Sequence, residues 1–171
     1  LGQGKRDEAV AALREQVSRA RDSAPAHYYL GLAYIRNMNS EQAKTELRDA
    51  VRLQPSFVAA RHTLTELHLS LGELVAARQI AEETVRMNPK GAATRLLLAS
   101  VLLKQGTSAA AREHLTVARE LAPADPAIPA MFGASYAAEK KIPEAQREYE
   151  AALKLDPNYA PARAQLSALW A

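Results

Sequence analysis

Leu30, Ala33 and Tyr34 stand at i, i+3 and i+4, and Ala43, Leu47, Ala50 and Val51 resume the same spacing after the polar break Asn37-Met38-Asn39-Ser40. Apolar residues at that interval share one face of a 3.6-residue helix. The stretch therefore predicts two amphipathic helices joined by a short turn. The same pattern returns every 34 residues: Ala9, Ala43, Ala77, Ala111 and Ala145 form one series, and Leu30, Leu64, Leu98, Phe132 and Leu166 form another. Each member of the second series is followed by a small or hydroxyl residue, namely Gly31, Thr65, Ala99, Gly133 and Ser167. Tyr34, His68, Leu102, Tyr136 and Trp170 keep the same register. Pro55, Pro89, Pro123 and Pro157 punctuate it, because proline has no amide hydrogen and disfavours a helical residue before it.

From this punctuation helices are expected near 5–21, 24–37, 40–53, 58–71, 74–88, 92–105, 108–122, 126–139, 143–156 and 160–170. Gly72, Gly106 and Lys141-Ile142-Pro143 mark the turns inside the later hairpins. No alternating run of β-branched residues predicts a strand. The fold class expected is all-α, an α-solenoid of antiparallel helix-turn-helix hairpins with no sheet. Asp125 is positioned to cap a helix beginning at Pro126, and Pro129 in the same first turn removes a donor and is expected to distort or delay that helix.

Helices of about 14 residues are marginal alone, so they must be stabilised by close mutual packing. Gly31, Ala43, Ala50, Ala77, Ala99, Ala111, Ala118, Ala145 and Ala152 supply the short side chains this requires. Glu15 and Arg19, Glu82 and Arg86, and Glu150 and Lys154 pair at i, i+4 on what reads as a solvated back.

The quoted units, Leu30-Gly31 with Tyr34, Ala43, Leu47, Ala50 and Pro55, and Phe132-Gly133 with Tyr136, Ala145, Tyr149, Ala152 and Pro157, resemble the tetratricopeptide repeat. The second unit departs from that pattern with Thr65, His68, Ala81 and Thr84, and the third with Ala99 and Leu102. The resemblance implies a right-handed α-solenoid and covers nearly the whole chain as one solenoid: a half repeat at 1–23, full repeats at 24–57, 58–91, 92–125 and 126–159, and a half repeat or capping helix at 160–171. Gly2-Gln3-Gly4 is similar to Lys104-Gln105-Gly106, which places Leu1 at the close of a first helix in a longer array. The RNA-binding pentatricopeptide repeat runs on 35 residues, and the strict 34 here argues against it.

Composition adds restraint. The 171 residues are 48% hydrophobic and 24% charged, and 22 Lys and Arg against 19 Asp and Glu leave a net charge of only +3. Such a surplus is little ground for a nucleic-acid partner. No apolar run is long enough to span a membrane, and there is no cysteine for disulfides, thiol catalysis or zinc. His27, His62, His68 and His114 form no His-Glu-x-x-His pair, and there is no glycine-rich phosphate loop or nucleophile elbow. The chain therefore reads as a non-enzyme without cofactor or metal. His62 and Glu66 share a helix face and read as an ion pair, and His68 reads as a packing residue.

On the first helix of each unit, the residues turned away from the Leu30, Leu64, Leu98 and Phe132 stripe are unusually apolar. The resemblance implies that this stripe lines a concave groove that binds a protein or peptide partner. Its expected lining is Tyr28, Leu32, Ile35 and Arg36, then His62, Glu66 and Ser70, then Leu96, Ser100 and Lys104, with Ala130 and Ala134 leaving room for a ligand backbone. A subfamily grips a C-terminal carboxylate with Lys, Asn and Arg, but Tyr28, Leu32, Thr63, Ala93 and Leu97 stand at the matching places, so that clamp is absent. A self-assembling array or an accessory segment of a larger protein are the alternatives. Val10, Leu13 and Val17 at one end, with Leu166, Leu169 and Trp170 at the other, are expected to be uncovered and to cause weak self-association.

Overall fold

A computed structural model describes residues 3–169. Trp170 and Gly2 lie outside the described residues. Within the described residues the chain forms ten α-helices and no strand. They run α1 Gln3–Arg19, α2 Ala24–Arg36, α3 Ser40–Leu53, α4 Val58–Ser70, α5 Leu74–Met87, α6 Ala92–Lys104, α7 Ser108–Leu121, α8 Ala127–Ala138, α9 Ile142–Leu155 and α10 Ala160–Ala168. The even-numbered helices are the first helices of the repeats and the odd-numbered ones the second. Two compact units result, residues 1–80 and 81–171, with the division falling inside α5.

In the first unit, Leu30 and Tyr34 of α2 meet Ala43 and Leu47 of α3, Leu64 and Leu67 of α4 and Val10 of α1 in one cluster. Ala43, Leu47 and Ala50 are wholly buried. Each leucine so covered contributes about 1.5–3 kcal/mol of burial, which is what holds helices that would not persist alone. Val10 was expected to be open but is only 7% exposed, because it packs into this cluster; Leu13 and Val17 are half-buried against it.

In the second unit, Leu98, Ala99 and Leu102 of α6, Ala111, Leu115 and Ala118 of α7, Ile128 and Phe132 of α8 and Ala81 of α5 form the corresponding cluster. A further cluster joins Ala130 of α8 to Ala145, Tyr149 and Ala152 of α9 and Ala162 of α10. Leu166 and Leu169 pack against it and are half-buried.

The turns inside the hairpins are copies of one another. Met38, Gly72, Gly106 and Lys140 all take positive φ, at 58°, 74°, 77° and 59°. The next amide in each reaches back to the carbonyl five residues earlier: Asn39 to Tyr34, Glu73 to His68, Thr107 to Leu102 and Lys141 to Tyr136. This is the Schellman closure, in which a left-handed residue lets the chain satisfy the last carbonyls of a helix. Gly4 behaves otherwise than its likeness to Gly106 suggests. It is helical within α1.

Pro129 does not break α8. The helix starts at Ala127, one residue later than expected, with Asp125 Oδ1 accepting the Ala127 amide at 2.9 Å. Within the first turn a missing amide hydrogen costs no intrahelical bond, and buried Pro129 adds packing instead.

Candidate protein-binding surface

The register that repeats in sequence also places polar groups that were not anticipated. His27, Arg61 and Arg95 are 34 residues apart, and each faces the carbonyl six residues earlier. His27 Nε2 lies 3.0 Å from the Arg21 oxygen, Arg61 Nε donates to Pro55 at 2.7 Å, and Arg95 Nε and Nη2 donate to Pro89 at 3.0 and 2.8 Å. These donors tie the loop between hairpins to the helix that follows it. His27 Nδ1 also meets Glu46 Oε2 at 2.7 Å. Burial pulls the His27 pKa down, but the Arg21 carbonyl and the Glu46 carboxylate more than offset it and hold the pKa above 6.5.

A second periodic device joins one repeat to the next. In the first unit Lys44 Nζ of α3 donates to Glu73 Oε1 and pairs with Glu41, each at 2.8 Å, while His68 Nδ1 of α4 meets Glu73 Oε2. Lys44 and His68 are both buried, so His68 packs in the core as its register implied. The hydrogen bond from Lys44, then that from His68, lowers the Glu73 pKa. In the second unit Arg112 of α7, in the register of Lys44, donates to Glu139 at 2.8 Å and lies 4.9 Å from the Tyr136 ring centre. The shared register of Lys44, Arg78 and Arg112 was the available signal. These contacts are architecture, because the charges are consumed within the fold.

The residues expected to line a groove are not uniformly open. In the first unit Leu32 is half-buried and Arg36 exposed, whereas Tyr28 and Ile35 pack partly into the core cluster. The Tyr28 ring rests on Phe57 and Tyr29, with centres 5.0 and 5.5 Å apart. Tyr29, which was not among the expected residues, is 56% exposed. On α4, Glu66 and Ser70 are exposed and His62 half-buried. Desolvation lowers the His62 pKa against the pull of Glu66. Ser70 Oγ is turned back onto the Leu67 carbonyl at 2.8 Å.

In the second unit Lys104 is exposed. Leu96 is half-buried against the core, and Ser100 Oγ donates to the Leu97 carbonyl at 2.7 Å. Ala134 is half-buried. Ala130 is only 7% exposed and belongs to the cluster beneath α10, so it opens no space for a ligand. A helical wheel misplaces it because it treats only one face as packed, while α8 is covered by both α9 and α10.

One concavity lies in the first unit between α1 and α2. It holds about 750 Å³ and is lined by Lys5, Arg6, Ala9 and Leu13 of α1 with Tyr29, Leu32, Ala33, Arg36 and Asn37. A smaller one of about 320 Å³ in the second unit lies by the Arg119–Glu148 ion pair, with Pro123, Ile128 and Pro129 in its wall. Among the described residues no three His, Asp or Glu side chains gather as a metal site, and no helix is long and apolar enough to cross a membrane.

Helical hairpins recurring every 34 residues, with identical turns and a small-residue seam, define a helical-repeat protein of the solenoid class. The tetratricopeptide repeat family model matches residues 1–56, 30–92 and 66–126, and the chain belongs to that family. Such repeats are generally non-catalytic and serve protein interaction, binding protein or peptide partners. No curated protein matches the sequence. Among solved structures the chain is similar to MamA from Desulfovibrio magneticus RS-1, with a TM-score of 0.80 and 18% identity over 92% of this chain and 89% of that one. It is also similar to a thermophilic TPR protein of Thermus thermophilus, with a TM-score of 0.77 and 20% identity over 98% of this chain and 91% of that one. YrrB, described as a TPR protein with an unusual peptide-binding site, has a TM-score of 0.77 and 18% identity over 95% of this chain and 84% of that one. At these identities the likeness establishes the fold.

Proposed function

We propose that this chain is a non-enzymatic scaffold that seats a peptide or helix of a partner protein against the first-helix faces of its repeats. The observation that carries this reading is the surface of α2, where half-buried Leu32 lies between exposed Tyr29 and exposed Arg36. Apolar side chains grouped with charge on one helix face are a mark of an interaction surface. Instead it combines apolar area, which supplies affinity, with charge that fixes orientation. Glu66 and Ser70 on α4 extend the face within the first unit, and Leu96, Ser100 and Lys104 on α6 offer a second patch in the other. The peptide-binding site described for YrrB supports the reading by analogy of fold.

The test is a crosslinking pull-down with the parent and three variants of the chain. Leu32→Asp places a charge in the apolar part of the face, and the two control substitutions, Arg86→Glu and Glu120→Lys, sit on exposed positions of second helices. Capture by the parent and by both controls, with at least about tenfold weaker capture by Leu32→Asp, is expected. Loss of capture in the controls alone would move the binding surface to the second helices and refute the proposal.

A further inference from the structure

His27, Arg61 and Arg95 share one register, and each turns its basic head onto the carbonyl six residues earlier, those of Arg21, Pro55 and Pro89. In the first of these slots His27 bridges two acceptors, the Arg21 carbonyl and Glu46 Oε2. The fourth member of the register is Pro129, whose side chain has no donor to offer. Both acceptors nevertheless persist around it. Pro123 stands where Arg21, Pro55 and Pro89 stand, and its carbonyl receives no hydrogen bond from any described residue. Glu148 stands where Glu46 does and is half-buried. Its Oε2 takes Arg119 at 2.7 Å, and its Oε1 takes nothing among the described residues.

The space beside Pro129 is open. It is the concavity of about 320 Å³ walled by Ile128 and Pro129 of α8 and by Ala151 and Leu155 of α9. Such an apolar wall suits the aliphatic stem of a long basic side chain. Arg119 of α7 does not fill it, because its guanidinium lies 4.0 Å from the centre of the Phe132 ring and is held by Glu148 without reaching Pro123. Glu148 has room for a second cation. In this fold one carboxylate takes two: Glu73 receives Lys44 and His68, and Glu139 receives Arg112 and Lys141. The opening is set by Pro129 and not by an end of the array, since α6 precedes and α10 follows the three helices that bound it.

We propose that this slot receives an arginine side chain of a partner protein, its guanidinium donating to the Pro123 carbonyl and to Glu148 Oε1 as His27 bridges Arg21 and Glu46. A guanidinium is planar and carries its N–H groups in a fixed fork, so it reaches both acceptors together, whereas an ammonium is a point charge without that fork. Lys154, exposed on α9 at the edge of the slot, is the lining charge that opposes an entering cation. None of these residues belongs to the first-helix face proposed above, so the inference goes beyond that reading and stands apart from it.

The probe is the blocked peptide acetyl-Gly-Arg-Gly-amide, titrated into the full chain and followed by backbone amide chemical shifts. Its controls carry citrulline, the uncharged isostere, or lysine in place of arginine. Saturable shifts at Asp125, Ala127 and Ala151 are expected, with the arginine peptide binding at least about tenfold more tightly than either control. Glu148→Gln should bring the arginine peptide down to the citrulline level, and Lys154→Glu should strengthen it. Pro129→Arg fills the slot from within and should abolish binding. Arg61 and Arg95 already hold that register, so the fold accommodates the change, and a circular dichroism melt verifies it. No binding of the arginine peptide, shifts confined to other residues, or equal binding of either control would overturn the proposal. So would undiminished binding by Pro129→Arg. Weaker partner capture by Leu32→Asp beside any of those results would leave the scaffold face standing, so the two readings fail separately.

Discussion

The ring of Tyr149 occupies the place that a side chain on Gly133 would need: a β-carbon there would come within 2.6 Å of Tyr149 Cε1. In the preceding hairpin the same register holds Ala99 and Leu115, so a slightly larger residue on the first helix accompanies a smaller one on the second. The seam between hairpin helices is a volume match, not a fixed pair of residues.

Gly133→Ala is therefore expected to destabilise the chain by about 1–3 kcal/mol. Adding Tyr149→Leu should recover part of that loss by recreating the Ala99 and Leu115 arrangement. Urea denaturation of the two variants checks this, and no recovery in the double variant would show that the seam is not the cause. Tyr149→Phe makes a cleaner companion. The Tyr149 hydroxyl is buried with no hydrogen-bond partner, so removing it should leave stability unchanged or raise it.

The four hairpin turns differ in what occupies the left-handed position. Gly72 and Gly106 adopt it without a β-carbon, whereas Met38 and Lys140 do so with one. Met38→Gly should stabilise by about 0.5–1 kcal/mol, because left-handed strain of about 1–2 kcal/mol exceeds the entropy a glycine loses on folding. Met38 is 87% exposed, so little packing is lost. Gly106→Ala should destabilise by a similar amount. Thermal melts of the pair should move in opposite directions.

His27 bridges Glu46 and the Arg21 carbonyl, and these acceptors raise its pKa above 6.5 in the fold. A group whose pKa rises on folding stabilises fully below its unfolded value and loses that contribution as pH climbs through the folded value. Stability supplied by His27 should thus fade from about pH 6.5 upward. His62 and His114, whose pKa values desolvation lowers, act in the opposite sense, weakening the fold as pH drops below that value. The difference in melting temperature between the parent and His27→Asn isolates the His27 contribution. It should shrink on going from pH 6 to pH 9, and a constant difference would refute the bridge.

Ala43 and Ala111 are wholly buried at the helix seam. Glutamate at either position would place a charge where no water or partner can reach it, costing about 3 kcal/mol or more. Far-ultraviolet circular dichroism should show helicity lost at a clearly lower temperature than in the parent. A melt within a few degrees of the parent would mean the register of the seam is misassigned.

The sequence alone determined the hairpin, its period and the helix boundaries to within two residues. Those features depend on local rules repeated at one spacing: apolar residues at helical intervals, proline after the second helix, and glycine or a polar residue at the turn. Even the burial of His68 followed from the register it shares with Tyr34. What the sequence did not disclose depends on neighbours in space. Val10 was expected at an open end and Ala130 on an open face, yet both are buried, because α2 covers one and α9 with α10 cover the other. Lys44, His68 and Glu73 come from two helices and the turn that follows the second, and only packing brings a buried cation and an imidazole onto one carboxylate. The slot beside Pro129 is likewise a property of three helices and the space left between them. A helical wheel gives direction along one axis; which directions are covered is decided by the helices packed around it.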